Sequence, residues 1–407
     1  MGGSVNDLEE EMSKMRRIQG FLALAASASI LVAACSSGGA SVAPASVAPA
    51  SVAPASVAPA SEAPASAAPA MAAVRLQLQW VPQAQFAGYF AAVEQGYYEA
   101  AGIDLTLVPG GPDVIPQAAG SAADGPEFTI SLVPKVLEAR IGNPASDLVN
   151  IAQIFQRSGT LSVSWKETGI TGPADFAGKK VGVWDFGNEY EVTAAATKAG
   201  LVAGTDYEKV IQPFDMSLLL TKQIDVAEAM IYNEYAQVLE ASNPETGDLY
   251  QATDLNVINY NDEGTAMLQD AIFARASWLA EAGNEDVATN FLKPSFQGWI
   301  YCRDNPADCI QYTVNQGSTL GAGHQAWMMN EINPLIWPSP NGIGIVDPTA
   351  WQQTVDVAIG AGIIKEAPPA DAYRTDLAEA ALADLTDADT KGTSFAKGTV
   401  EVTPGGN

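Results

Sequence analysis

Residues 74–111 read VRLQLQWVPQAQFAGYFAAVEQGYYEAAGIDLTLVPGG. Val74, Leu76, Leu78 and Trp80 alternate with Arg75, Gln77 and Gln79, which is the two-residue period of a strand. Beyond Pro82 the spacing predicts a helix from about Ala84 to Gln95, ended at Gly96. Gly102 then breaks the chain before IDLTLV (103–108), a second strand. The alternation continues downstream. Pro112-Asp113 starts a second helix, FTISLV (128–133) reads as a third strand, PKVLEARIG (134–142) as a helix and LVNIAQIF (148–155) as a strand. Strands alternating with helices imply a mostly parallel sheet covered by helices on both faces.

GPADFAGKKVGVW (172–184) reads as a turn, a short helix and a strand ending at Trp184. A second, smaller α/β unit follows: a helix from about Glu189, strand KVIQP, helix SLLLTKQ, strand AEAMIY and helix NEYAQVLEAS. The strand VINY (257–260) leads back to the first unit, and from Asp270 the chain is mainly helical, with AIFARASWLA (271–280) as a strand running into a helix. The expected organisation is a first lobe in two segments, 74–184 and 258–385, a second lobe at 185–257, and a flexible tail at 386–407. Two strands then cross between lobes, and such crossings are natural hinges.

At 407 residues, 47% of them apolar and 16% charged, the chain suits two lobes or one large α/β domain. Its formal charge of −27, with Lys+Arg 20 against Asp+Glu 47, argues against a nucleic-acid surface. A solvated acidic exterior is the expectation, on a monomer. One histidine, His324, argues against histidine-based catalysis and multi-histidine metal sites; it reads as an ordinary helical residue, and Met328 and Met329 as packing. No nucleophile elbow, Walker-type loop or metal motif occurs, and VGVWDFG is not GxGxxG. A binding protein without cofactor or metal is expected rather than an enzyme.

Residues 1–34 read as a signal peptide with an N-terminal extension. MRRIQGFLALAASASILVAAC (15–35) has a cationic start, an apolar run from Phe21 to Val32 and small residues before Cys35. The run is short for a membrane span, and the acidic stretch before Met15 places the true start at Met12 or Met15. Ile30–Cys35 resembles a bacterial lipobox, which implies cleavage after Ala34 and a lipid on Cys35. Residues 35–73 are then the lipidated cysteine and a tether: 41–70 holds SVAPA four times, then SEAPA and SAAPA. Proline in every unit forbids a helix; a polyproline-rich segment of that length reaches up to ~90 Å at about 3.1 Å per residue. Cys302 and Cys309 flank the Asn305-Pro306 turn and either close a small disulfide loop or stand as two buried thiols.

Gly96-Tyr97-Tyr98, Gly102-Ile103-Asp104-Leu105 and ITGPADFAGKKVGV (170–183) resemble the nitrate/sulfonate/taurine and thiamine-pyrimidine class of ABC-transporter substrate-binding proteins. The resemblance spans roughly 74–385. It implies the type II periplasmic-binding fold, with two α/β lobes closing on a small molecule and an ABC permease as partner. Lipidation would hold the protein on the extracytoplasmic face of the cell membrane.

In open α/β sheets ligands bind beyond the carboxyl ends of strands. Those ends carry Trp80, Gln85, Phe86 and Tyr89; Ser131; Phe155, Gln156 and Arg157; Trp184, Phe186, Asn188 and Glu189 with Tyr190; and Tyr232, Asn233 and Glu234. For Trp80 and Tyr89 core and cleft are equally expected, Phe90 reads as core, Glu191 as the helix-capping partner of Asn188, and Arg157 as a strand-end salt bridge. Anions need positively charged or N–H donors, which only Arg157 and the turn near Asn188 offer. A flat neutral heteroaromatic fits better: its faces stack on Trp and Tyr while amides and carboxylates pair its edge. Within the family this points to riboflavin, or to a thiamine-precursor pyrimidine. An alkylsulfonate or nitrate binder and an exported scaffold are the alternatives. The family's fold also includes pyrimidine synthases with a lysine-bound pyridoxal phosphate, a self-donated histidine and a cysteine-rich loop; one histidine and no cysteine cluster depart from that pattern.

Overall fold

The computed structural model describes residues 71–142 and 145–407. The expected leader, Cys35 and the SVAPA tether lie outside the described residues. The strands are β1 (Ala72–Gln77), β2 (Ile103–Val108), β3 (Phe128–Ser131), β4 (Leu148–Gln153), β5 (Thr160–Trp165), β6 (Lys180–Val183), β7 (Glu208–Ile211), β8 (Val226–Met230), β9 (Leu255–Asn259) and β10 (Ala271–Arg275). They form two five-stranded sheets, in the orders β2-β1-β3-β10-β4 and β7-β6-β8-β5-β9. Both follow one plan. β1 is parallel to β2 and β3, β6 is parallel to β7 and β8, and the fourth strand of each sheet, β10 or β5, is antiparallel to its neighbours. That antiparallel strand is the one the chain lays down on arriving from the other lobe. This is the two-lobed periplasmic-binding fold.

The crossings do not fall where the sequence placed them. β5 and β6 pair into the second sheet, and so does β9, so the chain passes between lobes at 154–159 and 260–270 rather than at 184 and 257. Strand β5, absent from the sequence-based expectation, alternates hydroxyl and apolar residues in TLSVSW with a strand's period and is buried at every position. Its hydroxyls pair internally, Ser164 Oγ with the Ile170 carbonyl for one, which lets the polar face be buried as well as the apolar one.

The first lobe's core stacks Phe128 on Phe291 at 3.9 Å and sets Tyr89 edge-on to Trp299. Helix Asn284–Asp304 meets helix Ala87–Glu94 at Gly298 and Gly88, where a Cβ added to Gly298 would lie 1.9 Å from the Gly88 carbonyl oxygen. Cys302 and Cys309 are bonded to each other, their Cα atoms 5.5 Å apart, joining the ends of two successive helices.

The crossing segments are laced together. Gly159 N donates to Gln269 Oε1 and Asn261 Nδ2 to the Ser158 carbonyl, both at 2.8 Å. Glu191 does not cap its helix, Tyr190–Lys198, whose cap residue is Glu189. Buried instead against the crossings, it accepts from Ser158 Oγ at 2.6 Å and Met267 N at 2.9 Å, and burial pushes its carboxyl up to about 8. The tail at 386–407 is likewise no free end. Ser339 N donates to the Lys391 carbonyl, Lys397 Nζ pairs with Glu331, and Gly405 N donates to the Glu240 carbonyl in the second lobe. It straps helix Ala322–Ile336 across the lobe boundary.

Candidate functional site

A cleft of about 690 Å³, its open mouth included, lies between the lobes. Its walls come from the carboxyl ends of six strands. The first lobe supplies Gln79, Trp80, Gln83 and Gln85 after β1, the loop after β2 from Gly111 together with Pro116 and Gln117 at the start of helix Pro116–Ser121, and Lys135 in the first turn of the helix after β3. The second supplies Trp184, Phe186 and Asn188 after β6, Phe214 after β7, and Met230, Tyr232, Asn233 and Glu234 at the end of β8.

Aromatic faces meet across it. Trp80 packs on Phe214 with ring centroids 4.5 Å apart, and Phe214 lies nearly parallel to Trp184 at 6.1 Å and 18°. Phe186 is 66% exposed with a φ of 64°, a backbone state uncommon outside glycine that clusters at functional sites.

The polar groups are tightly wired. Lys135 Nζ donates across the cleft to Asn188 Oδ1 at 2.6 Å. Burial lowers its ammonium to about 8, against the pull of Glu228, Glu189 and Asp270. Glu234 accepts from Met230 N and Asn233 Nδ2 and is pushed up to about 7 by burial. Behind Asn233, His324 faces its Oδ1 at 3.0 Å and the Glu240 carboxyl at 2.9 Å, so the histidine joins a first-lobe helix to the second lobe. On the opposite wall Gln83 Nε2 donates to Gln85 Oε1, and Gln85 Nε2 to Asp270 Oδ2, each at 2.8 Å. The side-chain oxygens of Gln79, Gln83 and Gln117 are buried without a partner.

Of the residues expected from the sequence, Trp80, Gln85, Trp184, Phe186, Asn188, Tyr232, Asn233 and Glu234 line the cleft. Phe86 and Tyr89 do not; the helical turn that starts at Ala84 rotates both into the first lobe's core with Phe90. Phe155 is also core, edge-on to Tyr232 at 6.2 Å and so a backing for that ring. Ser131 is buried at the end of β3, off the lining. Gln156 spends its amide on the Gln153 and Ile345 carbonyls, and Glu189 accepts from Gly187 N and pairs with Lys209. Among the described residues Arg157 pairs with no carboxylate; it donates to the Pro334 and Pro338 carbonyls. The cleft's cation is Lys135, which the sequence reading passed over as a helix residue. Its one legible signal was its place in a helical first turn directly after a strand.

The family model described as NMT1/THI5 like matches residues 83–309. The chain belongs to this family. A riboflavin-binding protein, RibY, of Chloroflexus aurantiacus is 24% identical to this NMT1/THI5-like chain over 72% of its length and 81% of the relative's. A formylaminopyrimidine-binding protein of Halalkalibacterium halodurans is 23% identical over 69% and 83%. Among solved structures, the periplasmic aliphatic sulphonate binding protein SsuA of Escherichia coli aligns at TM-score 0.53 and 16% identity, covering 72% of this chain and 89% of that one. The desulfurization enzyme DszB aligns at 0.52 and 14%, covering 77% and 99%. These two share the fold, which by itself does not choose between binding and catalysis. Among the described residues no helix is long and apolar enough to cross a membrane, and no cluster of three His, Cys, Asp or Glu side chains is placed to hold a metal.

Proposed function

We propose that the chain is an extracytoplasmic solute-binding lipoprotein that captures a planar heteroaromatic vitamin or vitamin precursor between its lobes and hands it to a membrane ABC permease. Riboflavin is the favoured ligand and a thiamine-precursor pyrimidine the next. The names of the two relatives, one a flavin binder and one a pyrimidine binder, support this range. The observation that carries it is the slot itself: indole and phenyl faces from opposite lobes, rimmed by amides. Stacking and desolvation would supply affinity, and the amides orientation. Closure of the lobes on the ring would favour the shape the permease accepts. Lipidation at Cys35 would tether the domain to the membrane.

Lys135 favours a second reading, a small anion such as an alkylsulfonate. Against it, the ammonium already serves Asn188 and is faced by carboxylates. Thermal-shift and calorimetric titration with riboflavin, a 4-aminopyrimidine, an alkylsulfonate and nitrate separate the cases. The flavin or the pyrimidine is expected to bind and the anions to be inert. Tight capture of an anion with both heterocycles silent would overturn the reading, and silence from every compound would favour an exported scaffold.

A further inference from the structure

Gln83 lines the cleft and is 2% exposed, and its Oε1 is buried with no partner. Which end of its amide faces the cleft is dictated from behind. An ionised carboxylate only accepts, so Asp270 must take Gln85 by its Nε2; Gln85 must then turn Oε1 to Gln83, whose Nε2 donates to it. The end left over is the Gln83 oxygen. A buried acceptor without a partner carries the full cost of its lost hydration, and a ligand N–H removes that cost. Gln79 and Gln117 also present unpartnered oxygens, but among the described residues no hydrogen bond fixes either side-chain amide, so each is free to turn.

We propose that Asp270, without touching the ligand, is a positioning residue that sets the polarity of the first lobe's wall, holding Gln83 Oε1 through Gln85 as a fixed acceptor for an N–H of the ligand. The edge that matches one fixed acceptor flanked by adjustable amides has an N–H beside a carbonyl or ring nitrogen. The imide edge of a flavin has this pattern, and so does the amino edge of an aminopyrimidine. A sulfonate or nitrate has no donor to give. The inference rests on the cleft being the ligand site proposed above, and it adds which wall reads which edge.

The same wiring makes the wall reversible. Burial pushes the Asp270 carboxyl up to about 6, with Lys135, Tyr89 and Tyr232 the titratable groups facing it. Below that pH the carboxyl gains a proton and offers it to Gln85 Oε1. Gln85 and then Gln83 swing over, and the cleft meets an NH₂ where it had an oxygen. Affinity for an N–H edge is therefore present above about pH 6 and lost below it.

Side-chain amide NMR of the ¹⁵N-labelled chain tests the relay with no ligand present, the signals being assigned by Gln83→Leu and Gln85→Leu. The Gln83 and Gln85 amides are expected to shift together with a midpoint near pH 6, and to stay flat in Asp270→Asn or, for Gln83, in Gln85→Leu. A Gln83 amide indifferent to pH in the unmodified chain overturns the proposal. Titrations at pH 7.5 add the ligand side. Riboflavin should bind about 10-fold or more tighter than 3-methylriboflavin, or a 4-aminopyrimidine than its N,N-dimethyl analogue, because a site built to accept an N–H rejects its methylated form. In Gln83→Leu that preference should vanish. Equal affinities in the unmodified chain refute the proposal while leaving the heteroaromatic reading intact. If neither heterocycle binds, that reading falls and the NMR result alone decides the relay.

Discussion

Trp184 holds its place by two bonds, its backbone N to Glu228 Oε2 at 2.9 Å and its indole Nε1 to the Pro213 carbonyl at 3.2 Å. The ring is thus fixed in place, on the cleft lining and against the core at once. Truncation to alanine should cost about 10–100-fold in affinity for a stacking ligand, since such a contact is worth roughly 1–3 kcal/mol, with the far-UV spectrum unchanged. Unchanged affinity for every heteroaromatic tested would misplace the cleft. At this scale the sequence was informative where strand ends carried aromatics beside amides, as at Trp80, Trp184 and Tyr232. It misled at Phe86 and Tyr89, because proximity to a strand end says nothing about which way the next helical turn rotates a ring. It was silent on Phe214, which reaches the cleft from a loop whose course depends on the packed lobes, and on Gln117, which enters from the first turn of helix Pro116–Ser121.

Among the elements, the crossing of helices Ala87–Glu94 and Asn284–Asp304 depends on the absence of two side chains. A methyl at Gly298 would meet the Gly88 carbonyl at 1.9 Å, and one at Gly88 the Trp299 indole at 2.3 Å. Backbone cannot yield as a flexible side chain does. Gly298→Ala should therefore destabilise by more than the usual ~1–3 kcal/mol of overpacking, read as a lower urea midpoint at unchanged slope. An unchanged midpoint would mean that the helices slide apart freely. The alternation of strands and helices was legible through β4 because those strands are bounded by Gly, Pro and Asp turns. The second lobe's limits were not, because pairing partners, unlike period, are not written locally.

The whole molecule carries several carboxyls that burial holds above their usual range: Asp270 to about 6, Glu234 to about 7 and Glu191 to about 8. A raised folded-state value means that the folded chain binds more protons than the unfolded one between the two values. Their contribution is fully present below about pH 4.5 and is lost as pH rises through 6 to 8. Lys135, lowered to about 8, acts oppositely and only above that pH. The melting temperature should accordingly fall from pH 5 to pH 8, and Glu191→Gln should flatten the fall; a slope unaltered by that change would remove Glu191 as a cause. Since Glu191 bridges the two crossing segments, its ionisation near pH 8 should also loosen the hinge, visible as faster amide exchange at 154–159 and 260–270.

The contact between Trp80 and Phe214, 4.5 Å from ring to ring, has a consequence in time. One ring belongs to each lobe, and while they touch no planar molecule passes between them. Uptake must wait for a spontaneous parting, however crowded the solution is with solute. Stopped-flow traces should therefore show an observed association rate that climbs at low concentration and then levels off at a ceiling equal to the parting rate. Replacing Phe214 by alanine should raise that ceiling.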